Sequence, residues 1–209
     1  MASVLLGYGE LGRQIEQFLI EIKNEQTILY FDDNAFSKKI KNAYPFNSYK
    51  DSQYKSLDFY VCLGYLHLSK KKSIIGELKA LNLNLPSIIH PTCYVSKTAE
   101  IGNNVYLYPL SNIDKNVQIK DGTLINNSVI ISHDTIVNEC CYISPGAVVS
   151  GFVNIGEASF LGSGCDISNN IFIGKNSRIG IGTVVTKDLP ENSHCVGNPM
   201  KLVTSLDLI

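Results

Sequence analysis

His133 and Asp134 are adjacent in this sequence and form its clearest candidate for acid–base chemistry. An imidazole changes its charge near neutral pH, and a neighbouring carboxylate can keep the ring oriented, so the pair suits a general base. The other histidines, at 67, 90 and 194, lie outside the repetitive stretch that contains this pair. A solvent-exposed corner histidine without a catalytic role is the plain alternative, and spacing alone does not separate the two.

A second candidate site is a glycine-rich loop, with Gly7, Gly9 and Gly12 between a predicted strand and a predicted helix. Such a loop lets a phosphate approach backbone amides at a helix N-terminus. Asp32, twenty residues after Gly12, could bond a ribose or a base. The first 85 or so residues have room for only half of a two-part dinucleotide fold, so we expect a single nucleotide or nucleotide diphosphate. A tight turn without a ligand stays open as the alternative.

Other kinds of chemistry and partner are disfavoured. One histidine in the repetitive stretch is too few for a zinc site, so we expect no metal. No serine or cysteine lies in a nucleophile motif, so we expect no covalent intermediate. With a formal net charge of −1, we expect no binding to nucleic acid or to a membrane surface. The six cysteines form no C-x-x-C pair and indicate reduced thiols. With neither a signal peptide nor a long apolar run, we expect a cytoplasmic protein.

A six-residue repeat must position His133. Apolar residues recur at this spacing without a miss from 101 to 185, and Ile89 and Val95 extend the series backwards. This period is typical of the hexapeptide parallel β-helix, with three hexapeptides in each triangular turn. The anchors are Ile101, Leu107, Ile113, Ile119, Ile125, Ile131, Val137, Ile143, Val149, Ile155, Leu161, Ile167, Ile173, Ile179 and Val185.

The repeat also predicts which residues are neighbours in space. Small residues follow many anchors by four positions, where they fit a tight corner: Ser111, Thr123, Thr135, Cys141, Ala147, Ser159, Cys165, Ser177 and Thr183. Residues 18 apart then stack at about the inter-strand spacing of 4.8 Å. Gly151 therefore stacks on His133, and its amide could hold the carbonyl oxygen of a bound thioester.

The chain divides into three predicted segments. Residues 1–85 alternate strands (3–6, 27–31 and 58–63) with helices, one with Leu11, Ile15, Phe18, Leu19 and Ile22 on one face, which predicts a small parallel α/β sheet. A second helix is expected at 70–81, capped by Ser69, with Ile74, Ile75, Leu78 and Leu81 inside. Residues 86–187 form the β-helix, and 188–209 form a capping segment.

The sequence resembles the bacterial sugar O-/N-acyltransferases of the sialic-acid O-acetyltransferase type over nearly its whole length. It looks most like the N-acetyltransferases that act on nucleotide-linked 4-amino-4,6-dideoxy sugars. The matching segments are GYGELG at 7–12, FDD at 31–33, His90-Pro91, ISHDTIVNECCYISPGAVVSG at 131–151 and VGNPMK at 196–201. The resemblance implies a Rossmann-like N-terminal domain, a left-handed parallel β-helix and a cytoplasmic homotrimer that works in surface polysaccharide or glycan biosynthesis.

The resemblance also implies roles for particular residues. His133 matches the catalytic base, Asp134 its acidic partner and Gly151 the amide facing the thioester. Acetyl-CoA is the implied co-substrate, with Gly180 and Lys201 along coenzyme A. The implied substrate residues are Gly7, Gly9, Gly12, Asp32, Asp33 and Asn126. Tyr142 stands where many relatives have a second histidine; its hydroxyl can still donate one hydrogen bond, and the sequence leaves open whether it replaces that histidine at the acetyl carbonyl.

The favoured hypothesis is therefore acetyl transfer from acetyl-CoA to a C4 amine of a UDP- or dTDP-linked sugar. Within the same class, the acceptor could be a hydroxyl, as in sialic-acid O-acetylation. Two other classes stay open: a non-catalytic nucleotide-binding trimer that serves as a scaffold, and a small dehydrogenase that uses the glycine loop. The base of the nucleotide and the stereochemistry of the sugar are left open by the sequence.

Overall fold

In the computed structural model, which describes residues 2–204, the chain divides into two compact units between Ile88 and Ile89. The first unit contains a four-stranded sheet in the order β3-β2-β1-β4, and all its strand pairs are parallel. Its strands are β1 (Ala2–Leu6), β2 (Thr27–Phe31), β3 (Ala43–Tyr44) and β4 (Asp58–Val61). The predicted small parallel α/β sheet is confirmed, and β3 was not predicted.

Three α-helices accompany this sheet: α1 (Glu10–Lys23), α2 (Asp33–Ser37) and α3 (Leu68–Ala80). Short 3₁₀ helices cover Phe46–Lys50, Ser52–Tyr54 and Tyr65–His67. Helix α1 buries Ile15 and Leu19, as its periodicity predicts. The last predicted helix is present and its ends lie within two residues of the expected ones, but two details are wrong: the N-cap is His67 rather than Ser69, and Leu81 is the exposed C-cap rather than part of the inner face. A 3₁₀ turn runs into α3, so the helix begins earlier than a capping serine would indicate.

The second unit is a left-handed parallel β-solenoid of about six turns. Most of its strands have two residues, and each of the fifteen predicted anchors is the second residue of such a strand. The strands are β5 (Ile88–Ile89), β6 (Tyr94–Val95), β7 (Glu100–Ile101), β8 (Tyr106–Leu107), β9 (Asn112–Ile113), β10 (Gln118–Ile119), β11 (Leu124–Ile125), β12 (Ile130–Ile131), β13 (Ile136–Val137), β14 (Tyr142–Ile143), β15 (Val148–Val149), β16 (Asn154–Ile155), β17 (Phe160–Leu161), β18 (Asp166–Ile167), β19 (Phe172–Ile173), β20 (Arg178–Ile179), β21 (Val184–Val185), β22 (His194–Val196) and β23 (Lys201–Leu202).

These strands form the three faces of a triangular prism. The faces contain eight, six and five strands, and the chain visits them in that order in each turn. Strands of one face pair at a separation of 18 residues, as in Ile119 with Val137, which confirms the predicted stacking. The anchors form the core: all are buried except Ile101, which packs against the cluster at its edge. The nine small residues predicted for the corners are also buried, because a narrow core leaves room only for small side chains there.

The regular spacing ends after Val185. Strand β22 pairs with β20 at a separation of 16 residues, Ile179 with Cys195, and β23 then pairs antiparallel with β22. The predicted segment 188–209 therefore extends the eight-stranded face as far as it is described, and residues 205–209 lie outside the described residues. The unit boundary falls three residues after the predicted boundary at 85/86.

Each corner of the prism turns through a residue with left-handed backbone dihedrals, and these residues stack in columns 18 apart. At the corner between the six- and five-stranded faces, the column consists of Asn116, Asp134, Phe152 and Asn170, with φ of 55°, 57°, 58° and 60°. Asparagine and aspartate tolerate this region better than other non-glycine residues, so three members of the column fit their positions. Phe152 is the exception.

Candidate active site

The His133 side chain lies at the corner between β12 and β13, where the chain passes from the six- to the five-stranded face. Its Nδ1 is 2.9 Å from Oδ2 of Asp134. The side chain is 38% exposed, so a bound molecule can reach the ring. The predicted pair is therefore assembled by one tight turn, in which the left-handed backbone of Asp134 folds its carboxylate back onto the imidazole.

Electrostatics keep this carboxylate ionised. Asn116, one turn below, donates from Nδ2 to Oδ1 of Asp134 over 3.0 Å. This bond and the one from His133 lower the pKa of the Asp134 carboxyl, because both favour the charged form. An ionised acceptor at Nδ1 selects the tautomer with its proton on that atom and leaves Nε2 as the basic nitrogen. In the described part of the chain, Nε2 makes no hydrogen bond.

Gly151 lies directly above the imidazole. A Cβ at this position would be 2.6 Å from Cε1 and 2.8 Å from Nε2 of His133, so only glycine leaves the ring in place. The backbone N–H of Gly151 donates to Oδ1 of Asn169 over 2.9 Å. The amide expected to face a thioester carbonyl therefore already has a partner, and Asn169, one further turn up, is an exposed side chain that can rotate away.

Asn126 and Tyr142 lie elsewhere on the prism. Asn126 follows β11 at the corner between the eight- and six-stranded faces, one corner before His133. Its Nδ2 donates to the hydroxyl of Tyr142 over 3.2 Å, and the Tyr142 ring stacks on Phe160 with centroids 5.8 Å apart. The structure thus brings Asn126 and Tyr142 together and places both away from the corner of His133 in the same chain.

Gly180 and Lys201 belong to the C-terminal part of the solenoid. Gly180 donates from its backbone N–H to the Cys195 carbonyl over 2.8 Å, and a Cβ there would be 2.8 Å from Cγ1 of Val196. Lys201 is an exposed residue of β23. Neither lies at the corner of His133 and Gly151.

The glycine-rich loop in the first unit forms the expected tight turn. Gly7 has a φ of 98°, and a Cβ on Gly12 would be 2.5 Å from the Gly7 carbonyl oxygen. Gly9 is the N-cap of α1 and makes no side-chain cap, so the helix N-terminus is open. Glu10 in the first turn places a carboxylate there, paired with Arg13 at 3.2 Å.

The two predicted acidic residues make hydrogen bonds to the backbone. Asp32 accepts from the Tyr8 N–H at 3.0 Å through Oδ2 and from the Ala35 N–H at 2.8 Å through Oδ1. Asp33 accepts from the Phe46 N–H at 2.9 Å. Asp32 thus joins the glycine-rich loop to the start of α2, and each oxygen keeps a lone pair for a ligand hydroxyl.

Sequence reasoning missed three residues of the His133 corner: Asn116, Asn169 and Phe152. All follow from the 18-residue stacking, since Asn116 and Phe152 share a column with Asp134, and Asn169 lies one turn above Gly151. The repeat could have identified each of them. Their chemical roles depend on which way the side chains point, which the period does not encode.

The structure also contains a cavity at a corner other than that of His133. A cavity of about 450 Å³ opens at the next corner, between residues that include Asn154, Phe172 and Lys175, and His133 does not line it.

All six cysteines are free, and all but Cys93 are buried. Among residues 2–204, no group of His, Cys, Asp or Glu side chains is arranged to hold a metal ion. The same residues contain no helix with the length and apolar character needed to cross a membrane.

Sequence families and solved structures resemble the chain to different extents. The GMPPB C-terminal domain family matches residues 84–176, less than half of the chain. No curated protein matches it. The chain is similar to the acetyltransferase domain of PglB from Neisseria gonorrhoeae FA1090 in complex with acetyl coenzyme A, with 25% identity and a TM-score of 0.83. The similarity covers 97% of this chain and 98% of that one.

Two more solved structures share the fold. PerB from Caulobacter crescentus, in complex with CoA and GDP-perosamine, is 23% identical with a TM-score of 0.86, over 97% of each chain. WeeI from Acinetobacter baumannii AYE is 17% identical with a TM-score of 0.87, over 97% of this chain and 100% of that one. The resemblance inferred from the sequence motifs is therefore confirmed at the level of the whole fold.

Proposed function

We propose that this protein, a hexapeptide-repeat acyltransferase of the sugar N-acetyltransferase type, acetylates the 4-amino group of a nucleotide-linked 4-amino-4,6-dideoxy sugar, with acetyl-CoA as the donor. UDP and dTDP are the expected nucleotides, and the product would enter surface polysaccharide or glycan biosynthesis in the cytoplasm. The arrangement around His133 carries the proposal: its Nδ1 is held by an ionised carboxylate, its Nε2 has no partner in the described chain, and Gly151 lies so close that a Cβ there would be 2.6 Å from the ring.

The residues at this corner fit direct transfer. The amine nitrogen attacks the thioester carbonyl carbon, a C–N bond forms, the C–S bond breaks, and coenzyme A leaves as its thiol or thiolate. His133 accepts the proton lost by the nitrogen at Nε2, and Asp134 stabilises the imidazolium that results. The Gly151 N–H can stabilise the oxyanion once the exposed Asn169 side chain turns away from it.

The glycine-rich loop is the proposed site for the nucleotide part of the substrate. Gly7, Gly9 and Gly12 leave the open N-terminus of α1 accessible to a diphosphate. Asp32 and Asp33, at the end of β2, would accept hydrogen bonds from the ribose or the base with their remaining lone pairs. Glu10 opposes an anion at the same place, and Arg13 offsets this charge through its ion pair.

The positions of the remaining expected residues support a site shared with a second subunit. Asn126 and Tyr142 lie one corner away from His133, so a homotrimer that packs this corner of one solenoid beside another would bring them to a neighbour's imidazole. In that arrangement Gly180 and Lys201 would lie along coenzyme A. We infer a homotrimer on this ground, and light scattering on the purified protein tests it.

A thiol-release assay tests the proposed reaction. Acetyl-CoA would be combined with UDP-, dTDP- and GDP-linked 4-amino sugars, the last because PerB was solved with GDP-perosamine. We expect thiol release that requires the amino sugar, and a loss of about 10²-fold or more in kcat for His133→Ala. His67→Ala, which changes an exposed histidine of the first unit, is the matched control.

The outcomes separate the alternatives. Release with a hydroxyl acceptor alone would indicate O-acetylation, and nucleotide binding without release from any acceptor would indicate a scaffold. Reduction of a substrate with NADH would indicate a dehydrogenase. Near-normal turnover of His133→Ala would remove the mechanism even if transfer occurs.

A further inference from the structure

Phe152 occupies a backbone position that does not suit it. Its φ is 58°, in a column whose other members are Asn116, Asp134 and Asn170. A bulky side chain in the left-handed region is strained, whereas asparagine and aspartate are tolerated. The side chain is also 56% exposed, so burial in this chain does not compensate for the strain. A strained and exposed aromatic residue calls for an explanation from its surroundings.

The surroundings are the candidate base. The edge of one ring faces the other: the centroids of Phe152 and His133 are 5.1 Å apart with an interplanar angle of 85°. The backbone N–H of Phe152 also donates to the His133 carbonyl over 3.1 Å, which fixes the Phe152 backbone relative to the turn that carries the imidazole. Edge-to-face contacts of this kind favour one relative orientation over others.

Three groups together then restrict the imidazole. Asp134 holds Nδ1 at 2.9 Å, Gly151 lies above the ring, and Phe152 bounds it through the edge-to-face contact. Without Phe152, the ring could turn toward solvent because the side chain is more than a third exposed. Such a turn would break the bond to Asp134 and move Nε2.

We propose that Phe152 is a positioning residue that keeps His133 in the rotamer joining Nδ1 to Asp134, with Nε2 directed to the reacting atoms. The positional part of this inference stands on the contact alone, and its consequence for rate rests on the proposed acetyl transfer.

Three variants of the full-length chain test the proposal. Phe152→Asn installs the residue type found at two other positions of the column, and Phe152→Tyr keeps the ring. Lys39→Asn is the control, because Lys39 is also a left-handed, exposed residue, with a φ of 55°, but belongs to the first unit. Each asparagine variant should raise Tm by about 2–4 °C, since it relieves strain.

The crystal structure and the kinetics of each variant then show whether Phe152 positions the His133 ring. We expect Phe152→Asn to show His133 in another or a mixed rotamer, and kcat reduced by about 10-fold or more with the KM for acetyl-CoA within about twofold. Phe152→Tyr and Lys39→Asn should keep the His133 rotamer and the wild-type kcat. A higher Tm together with a lower kcat would separate positioning from a structural role, since replacing a residue that only supports the structure would lower both Tm and kcat.

Two results would overturn the proposal: an unchanged His133–Asp134 contact in Phe152→Asn, or wild-type kcat in that variant. A change of oligomeric state in Phe152→Asn with His133 unmoved would also overturn it and assign the ring to a subunit contact. If the wild-type protein acetylates no acceptor, the proposed function fails, and the comparison of the His133 rotamers still decides whether Phe152 positions the ring.

Discussion

Replacing Gly151 by alanine tests the stacking of the site most directly. The added Cβ would be 2.6 Å from Cε1, 2.8 Å from Nε2 and 3.1 Å from Nδ1 of His133. Ordinary carbon contacts begin near 3.5 Å, so the ring must move by about 1 Å. Its nearest neighbours in this direction are side-chain atoms, and the backbone can stay where it is. We therefore expect Gly151→Ala to fold and to displace the imidazole.

The size of the effect follows from this displacement. A shift of about 1 Å breaks the 2.9 Å contact between Nδ1 and Asp134 and misplaces Nε2. Misplacement of a catalytic group by such a distance reduces rates by about 10²-fold, equivalent to about 2.7 kcal/mol in the barrier. The stability change should be smaller, at about 1 kcal/mol, because turning a half-exposed side chain loses one hydrogen bond.

Steady-state thiol release and chemical unfolding measure the two effects separately. Gly156→Ala is the contrasting control, since its Cβ would be 2.7 Å from Cα of Lys175 and 2.8 Å from the backbone carbonyl carbon of Gly174, which cannot turn aside. That variant should lose stability rather than activity per folded molecule. Wild-type kcat in Gly151→Ala, with the fold intact, would refute the reasoning that His133 acts from beneath this glycine.

Two further predictions concern the acidic residues. Asn116→Ala removes the main cause of the lowered pKa of the Asp134 carboxyl, so that pKa should rise toward its usual value. A carboxyl whose pKa is lowered in the folded state stabilises the fold above its unfolded pKa, and this stabilisation is lost as the pH falls through the folded-state pKa. Asn116→Ala should therefore lose the stabilisation from Asp134 at a higher pH than the wild-type protein does. Carboxyl-carbon NMR titration measures the midpoint, and an unchanged midpoint would contradict the assignment. Asp32→Ala removes bonds to the N–H groups of Tyr8 and Ala35, so it should destabilise the first unit by about 1–3 kcal/mol in chemical unfolding. Asp51→Ala, at an N-cap without a side-chain bond, is its control, and equal stability of the two variants would count against a structural role for Asp32.

The solenoid was predictable because its sequence period is a direct consequence of its geometry. An inward side chain recurs once per edge of the triangle, and all fifteen predicted anchors end a strand. The adjacency of His133 and Asp134 and the stacking of Gly151 followed from the same period, and the structure places them together. These features depend on backbone register, which the spacing of apolar residues specifies.

Features that depend on side-chain direction were less predictable. The bond from Asn169 to the Gly151 N–H and the use of Asp32 by two backbone amides are examples. An asparagine or an aspartate can bond a ligand or its own backbone with similar energy, so residue type does not decide between these partners. The start of α3 was misplaced for a related reason: Ser69 is a good cap by type, but the preceding 3₁₀ turn already begins the helix.

The stacking of His133, Gly151 and Asn169 on consecutive turns has a consequence for how such chains tolerate change in length. Adding or removing one whole coil above this trio would lengthen or shorten the prism and leave the trio intact. A coil inserted between residues 133 and 151 would separate the glycine from the imidazole while every new strand still paired correctly. Under the proposed mechanism such a protein would be well folded but inactive, so the position of an added coil matters as well as the number of coils.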